Sequence, residues 1–111
     1  MSRTKAQRAA SAPESLAILR ELLPAGTPVY CRLDHVSRSG MLRRIGFHVV
    51  KDGEIQDISW HVANVLDYPT DDNHALKVPG AGMDMGFHVV YHLSTVIHGN
   101  QGGYELKHRW L

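Results

Sequence analysis

The sequence predicts an α+β fold, an antiparallel four-stranded sheet with two to three helices packed on one face. The chain has 111 residues, of which 43% are hydrophobic and 21% charged, as is typical of one globular domain. Apolar residues recur at helical spacing in some segments and alternate with polar residues in others. Asp52-Gly53 between two alternating segments predicts a two-residue hairpin.

The first predicted helix covers residues 13–23. Pro13 suits a first helical position, and Pro24 ends the apolar periodicity that follows it. Residues 1–12 carry three basic side chains and no large apolar residue after the initial methionine, so we expect a mobile basic arm. A single α+β domain would then occupy 13–111.

Alternating residues predict the strands, and the hairpin fixes their register. A meander of strands 28–36, 41–50 and 54–58 is joined by strand 104–110, with helices over 60–67 and 85–98 and a brief edge strand over 75–78. Around the hairpin, Lys51 should oppose Glu54, and His48 should form a surface pair with Asp57. The last helix should bury Phe87, Val90, Tyr91, Ser94 and Ile97.

Charge is distributed unevenly along the chain. Residues 1–51 hold nine Lys or Arg and three acids, whereas residues 52–111 hold three Lys or Arg and eight acids. Such a split favours a surface that faces a polyanion or a protein partner. Alternatively, folding interleaves the two halves into an ordinary mixed surface.

Arginines cluster around the first predicted bend, and two acids stand in a later polar loop. Tyr30 on the adjoining strand offers a ring for stacking. The expected contact residues for a partner are Arg32, Arg38, Arg43, Arg44, Asp71 and Asp72. Arginine suits both phosphates and acidic protein surfaces, so both partners stay open.

No set of residues predicts catalysis, a cofactor or a metal site. His88 and His92 lie four apart on the last predicted helix, but position 89 lacks the glutamate of the metalloprotease motif. Cys31, the only cysteine, lies on an apolar strand face, which favours burial and a reducing compartment. A His-based metal-dependent enzyme remains a second alternative to a binding protein.

From about Tyr30 onward, the chain resembles a group of small proteins of unknown function encoded by phages and prophages. The resemblance rests on VSRSGMLRRIGFHVV, GEIQDI, VANVL, GAGMDMGFHVVYHLS and GGYELKHRWL. That group has no established catalytic residues, so the resemblance assigns none. It implies a protein that acts by binding host machinery, including defence complexes such as CRISPR effectors.

We therefore expect a small phage-type binding protein that inhibits or occludes a host nucleoprotein or defence complex, as an anti-CRISPR protein does. The first alternative is a nucleic-acid-binding protein that uses the arm and the 36–44 hairpin. No segment has the length and apolarity of a bilayer span, so we expect a soluble, intracellular protein, and the resemblance implies the host cytoplasm. An exposed sheet edge also favours a homodimer.

Overall fold

A computed structural model describes residues 4–36, 42–70, 75–79, 84–99 and 103–107, without the side chains at 33–36, 42, 43, 79 and 84. Within these ranges the chain forms three helices and five strands, which confirms the α+β class. Their order is α1 (Lys5–Leu22), β1 (Pro28–Val36), β2 (Leu42–Lys51), β3 (Glu54–Asp57), α2 (Ser59–Leu66), β4 (Leu76–Pro79), α3 (Asp84–His98) and β5 (Glu105–Lys107).

The five strands form one mixed sheet instead of the predicted antiparallel sheet of four. β2 pairs antiparallel with β1, β3 and β4, whereas β5 pairs parallel with β1. The parallel pair arises because α3 lies between β4 and β5. A helical connection returns the chain to the end of the sheet where the previous strand began, so the next strand runs in the same direction.

β3 and β4 share one edge of β2. β3 pairs with residues 48–51 of β2, and β4 pairs with residues 42–45. Between them, the Phe47 N–H donates to the Ser59 hydroxyl at 2.8 Å, and the Ile58 N–H donates to the Phe47 carbonyl at 2.9 Å. A side chain at the start of α2 thus replaces a ladder partner where the two strands meet.

The predicted hairpin register is confirmed. Lys51 pairs with Glu54, and His48 pairs with Asp57. Asp52 and Gly53 have φ angles of 54° and 78°. Positive φ at both central positions is what a two-residue turn of this twist requires.

Helix α1 begins eight residues before the predicted start at Pro13, which lies inside it. The Thr4 side chain accepts from the Gln7 N–H, and the Gln7 side chain accepts from the Thr4 N–H. This capping box satisfies two backbone donors that a helix end otherwise leaves unpaired. The described part of the predicted arm from Lys5 onward is therefore helical.

All three helices pack on the same side of the sheet, which we call the helix side. Alternate strand residues, such as Val29, Phe47 and Val78, join helix residues such as Leu19 and Leu93 in one buried cluster. No helix among the described residues combines the length and apolarity needed to cross a bilayer.

Helix α3 is rotated relative to the predicted face. Val90 and Ser94 are buried as expected, but Phe87 is 53% and Tyr91 73% exposed. The cause is Gly86, which lies against β1 so closely that a Cβ there would meet the Cys31 sulfur at 3.1 Å. The close approach turns a small residue toward the sheet in place of Phe87.

Candidate binding face of the sheet

The side of the sheet that faces away from the helices, which we call the open face, gathers most of the polar strand residues. Their neighbours along β1, β2 and β4 include Cys31, Ile45 and Leu76, which are buried on the helix side. The open face includes Tyr30, Arg32, Arg44, Gly46, His48, Asp57, Lys77, Glu105 and Lys107. Charged and aromatic side chains therefore meet on one side of the sheet.

Three positively charged residues are neighbours at one corner of this face. Arg44 of β2 lies directly opposite Lys77 of β4. Arg32 lies opposite Gly46, the next open-face position after Arg44, and is thus a diagonal neighbour of Arg44. Adjacent strands are about 4.8 Å apart, so Arg32 and Lys77 flank Arg44 on the two neighbouring strands. We call Arg32, Arg44 and Lys77 the cationic corner.

The centre of the open face is an aromatic stack. The Tyr30 and His48 rings are nearly parallel, at 5° with centroids 4.9 Å apart, and His48 is fully buried. The predicted surface pair of His48 with Asp57 is therefore wrong in its exposure, although the two residues do face each other. Burial lowers the pKa of His48, and the nearby Asp57 carboxylate opposes that shift only in part.

At the other end of the open face, a carboxylate compensates the cation. Lys107 lies opposite Tyr30 in the parallel register. Its ammonium is 2.6 Å from the Glu105 carboxylate on the same strand. Lys107 and Glu105 therefore form an ion pair on this face.

The structure brings together two of the predicted contact residues. Arg32 and Arg44 are both exposed and lie on the open face. The backbone of Arg43 pairs with Val36 and Val78, and its side chain lies outside the described residues. The predicted positions outside the described residues are Arg38, Asp71 and Asp72.

Lys77 is the corner residue that the sequence analysis missed. It stands between Leu76 and Val78, both fully buried, so the alternation that places Lys77 on the open face is present in the sequence. The alternation does not show which strand β4 pairs with. Only the pairing of β4 with β2 places Lys77 beside Arg44.

The basic residues near the N-terminus lie elsewhere. Arg8 donates to the Asp67 carboxylate at 2.7 Å, and the Lys5 ammonium is 3.7 Å from the same group. This contact joins α1 to the end of α2, on the helix side. The Arg8 hydrogen bond is the main cause of the lowered pKa of Asp67. Folding thus pairs two basic residues of the first half with an acid of the second.

A buried polar network joins α1 to α2. Ser15 accepts a hydrogen bond from the Asn64 amide at 2.9 Å and lies 2.9 Å from Nδ1 of His61. Which of Ser15 and His61 donates in this contact depends on the tautomer of the imidazole. Burial lowers the pKa of His61, which favours its neutral form.

A serine beside a histidine is one element of a nucleophilic site. Ser15, however, is only 2% exposed, and Asn64 of α2 covers its hydroxyl. A nucleophile must be reached by a substrate, and this one lies inside a helix interface. The network therefore acts as a structural contact, holding α1 on α2.

The histidines of α3 have separate environments. His88 and His92 are exposed on the helix surface. His98 lies at the other end of α3, where its Nε2 and the Tyr104 hydroxyl both donate to the Leu23 carbonyl, at 3.0 and 2.9 Å. In the ranges that the structure covers, no three His, Cys, Asp or Glu side chains are grouped so as to hold a metal ion.

Comparison with known proteins adds no relative: the chain matches no family model, and no curated protein or solved structure has detectable similarity to it.

Proposed function

We propose that this protein is a small phage-type binding protein that occludes a host nucleoprotein or defence complex in the host cytoplasm, as an anti-CRISPR protein does. In this proposal the cationic corner is the contact surface and the protein has no catalytic role. The proposal is supported by the fold, which places charged strand residues on the side of the sheet opposite the helix layer that supplies the core.

The observation that carries the proposal is the register of Arg44 with Lys77. Like charges directly opposite each other on a sheet oppose folding, by roughly 0.2–1 kcal/mol. Arg32, as the diagonal neighbour, adds a third positive charge. An anionic partner would place opposite charge beside these cations, which favours the complex.

Two guanidinium groups on neighbouring strands also suit the chemistry of the proposed partner. Each guanidinium can bind a carboxylate or a phosphate through two parallel hydrogen bonds. A nucleoprotein complex offers both groups, from acidic side chains and from its nucleic acid. The proposal therefore names the complex and leaves the two sources of anion to the experiment.

Affinity capture from a bacterial host lysate tests the proposal. The baits are the wild type, the R32A/R44A double variant and R20A, which removes an exposed arginine from α1 on the helix side. We expect one stoichiometric partner with wild type and R20A, and at least a tenfold loss with R32A/R44A. Equal recovery with all three baits, or no partner at micromolar bait, would overturn the proposal. Nuclease treatment of a parallel lysate separates binding to protein from binding to nucleic acid.

A second function, direct binding of single-stranded nucleic acid, is favoured by one observation. Tyr30 lies two positions from Arg32 on β1, so an aromatic ring and a guanidinium neighbour each other on the open face. Stacking rings beside cations are typical of single-strand binding sites. Two basic residues of the predicted arm, Lys5 and Arg8, contact Asp67 on the helix side.

Fluorescence anisotropy with a labelled single-stranded oligonucleotide distinguishes the two functions. Nucleic-acid binding predicts an affinity that falls steeply as salt rises, since counterions are released from the phosphates. R32A/R44A should weaken that binding, and R20A should leave it unchanged. If the wild type fails to bind the oligonucleotide at low salt, direct binding is excluded.

A further inference from the structure

An apolar groove lies between α3 and β5, away from the open face. Its volume is about 270 Å³, and its lining includes Phe87, Tyr91, Tyr104 and Leu106. Phe87 and Tyr91 are 53% and 73% exposed, although both are aromatic. Exposed aromatic side chains beside an apolar groove are typical of a surface that another chain covers.

The groove borders an edge of the sheet. β5 is the last strand in the order, with β1 on one side. The Glu105 N–H donates toward β1, to the Thr27 carbonyl at 3.3 Å, and the Gly103 carbonyl accepts from the Gly26 N–H at 2.6 Å. In a parallel ladder, alternate residues point their N–H and C=O in opposite directions. The N–H and C=O of Leu106 therefore point outward, away from β1.

We infer that a second copy of this chain docks at this edge, with the two β5 strands antiparallel about a two-fold axis at Leu106. In that arrangement the two Leu106 residues exchange a pair of backbone hydrogen bonds. The contact is self-complementary, as a two-fold interface must be. It is independent of the proposed function, because it uses the edge of the sheet and not the cationic corner.

Charge complementarity favours a second copy as the occupant. Antiparallel pairing about Leu106 places Glu105 of each copy opposite Lys107 of the other. Within one chain these two side chains already form a 2.6 Å ion pair on the open face. In the dimer, Glu105 and Lys107 of the two copies would thus form a group of four charges of alternating sign. A displaced register would set like charges against each other, so the charge pattern also selects the axis.

The apolar residues lie where this axis requires them. A Cβ at Gly86 would be 3.7 Å from the Leu106 side chain, so the start of α3 lies over the residue on the axis. Phe87 follows Gly86, and Tyr91 is one helical turn further on. In a continuous sheet the two-fold axis is perpendicular to the sheet, so both α3 helices lie on the same side. Phe87 and Tyr91 of each copy would then face the groove of the other.

Sedimentation equilibrium of the full chain across the micromolar range tests the inference. We expect the wild type to show a concentration-dependent mass approaching twice the 12.4 kDa of the monomer. K107E should raise the dissociation constant at least tenfold, because it places two glutamates opposite each other in both symmetric positions. The double variant E105K/K107E should restore dimerisation, since it reverses both charges and recreates the complementary pattern.

A second pair of variants tests the aromatic contact. Y91E should weaken the dimer at least tenfold. V96E is the control, because Val96 is also exposed on α3, at 39%, but lies on the opposite side of the helix from Phe87. Circular dichroism checks that each variant is folded. A monomeric wild type, a dimer that K107E and Y91E leave unchanged, or a failure of the charge swap to restore association would each overturn the inference.

Discussion

The polar residues on the two sides of the sheet differ in the residues that they face. On the helix side, polar residues have partners of complementary chemistry: Ser15 with Asn64, and Arg8 with Asp67. On the open face, Lys107 pairs with Glu105, but Arg44 also stands in register with a second cation, Lys77. Pairing like charges opposes folding, whereas the helix-side contacts favour it. The helix side thus holds polar contacts that stabilise the fold, whereas the open face also places like charges in register.

The largest expected effect tests how far the helix side depends on satisfied polar groups. S59A removes the acceptor of the buried Phe47 N–H and leaves that donor unsatisfied. We expect a loss of about 1–3 kcal/mol in the free energy of unfolding, measured by urea denaturation. T95A is the control, because Thr95 is exposed and bonds only within its own helix. An equally small loss for both variants would contradict the role of Ser59.

The next effect tests the close packing of α3 on the helix side. G86A would bring a Cβ to 3.1 Å from the Cys31 sulfur. Overpacking costs about 1–3 kcal/mol, and the gain in helix propensity offsets about 1 kcal/mol of it. We expect G86A to lower the free energy of unfolding by a net amount of about 1 kcal/mol. Because C31A removes the clashing sulfur, the double variant G86A/C31A should lose less stability than the sum of the losses in G86A and C31A. Simple additivity would show that the two residues do not constrain each other.

A pH titration compares one histidine from each side. Burial lowers the pKa of both His61 on the helix side and His48 on the open face. The unfolded chain therefore binds more protons than the folded chain once the pH falls below the ordinary histidine value of 6.5. Stability should be complete above that value and decrease as the pH falls through it. H48Q and H61Q should each reduce the slope of the unfolding free energy against pH, and unchanged slopes would contradict this assignment.

The smallest effect tests the comparison directly. R44E replaces a like-charge pair by an opposite-charge pair, so it should raise the free energy of unfolding by a few tenths of a kcal/mol. R8A, on the helix side, should lower the melting temperature because it removes the hydrogen bond to Asp67. The R44E variant should nevertheless lose the partner in affinity capture. If R44E destabilises the protein, the open face resembles the helix side and the comparison fails.

Local chemistry predicted the parts of the fold that lie close in sequence. The hairpin register follows from Asp52-Gly53 and the flanking alternation, and both are visible without a structure. The parallel placement of β5 and the pairing of β4 with β2 are contacts between distant segments, which no periodicity encodes. Arg32 and Arg44 could therefore be named as candidate contact residues from the sequence, whereas the position of Lys77 beside Arg44 required the sheet.

Two errors in the predicted helices, the start of α1 and the buried face of α3, have local causes. Pro13 was interpreted as a helix start. The capping box of Thr4 and Gln7 lies earlier in the chain, however, and the helix begins at Lys5. In α3, the apolar periodicity predicted that Phe87 and Tyr91 are buried. Gly86 has no side chain, so the pattern made no prediction for it. Its small size is the reason that it faces the sheet.

β2 pairs with three of the other four strands, and two of these share a single edge of it. β3 and β4 can therefore hold their sheet positions only while β2 is in place. Opening of β2 would release both strands together, so its amide protons should exchange with solvent only through global unfolding. The slowest hydrogen exchange in the molecule is thus expected along β2, and this strand couples the chain into one cooperative unit.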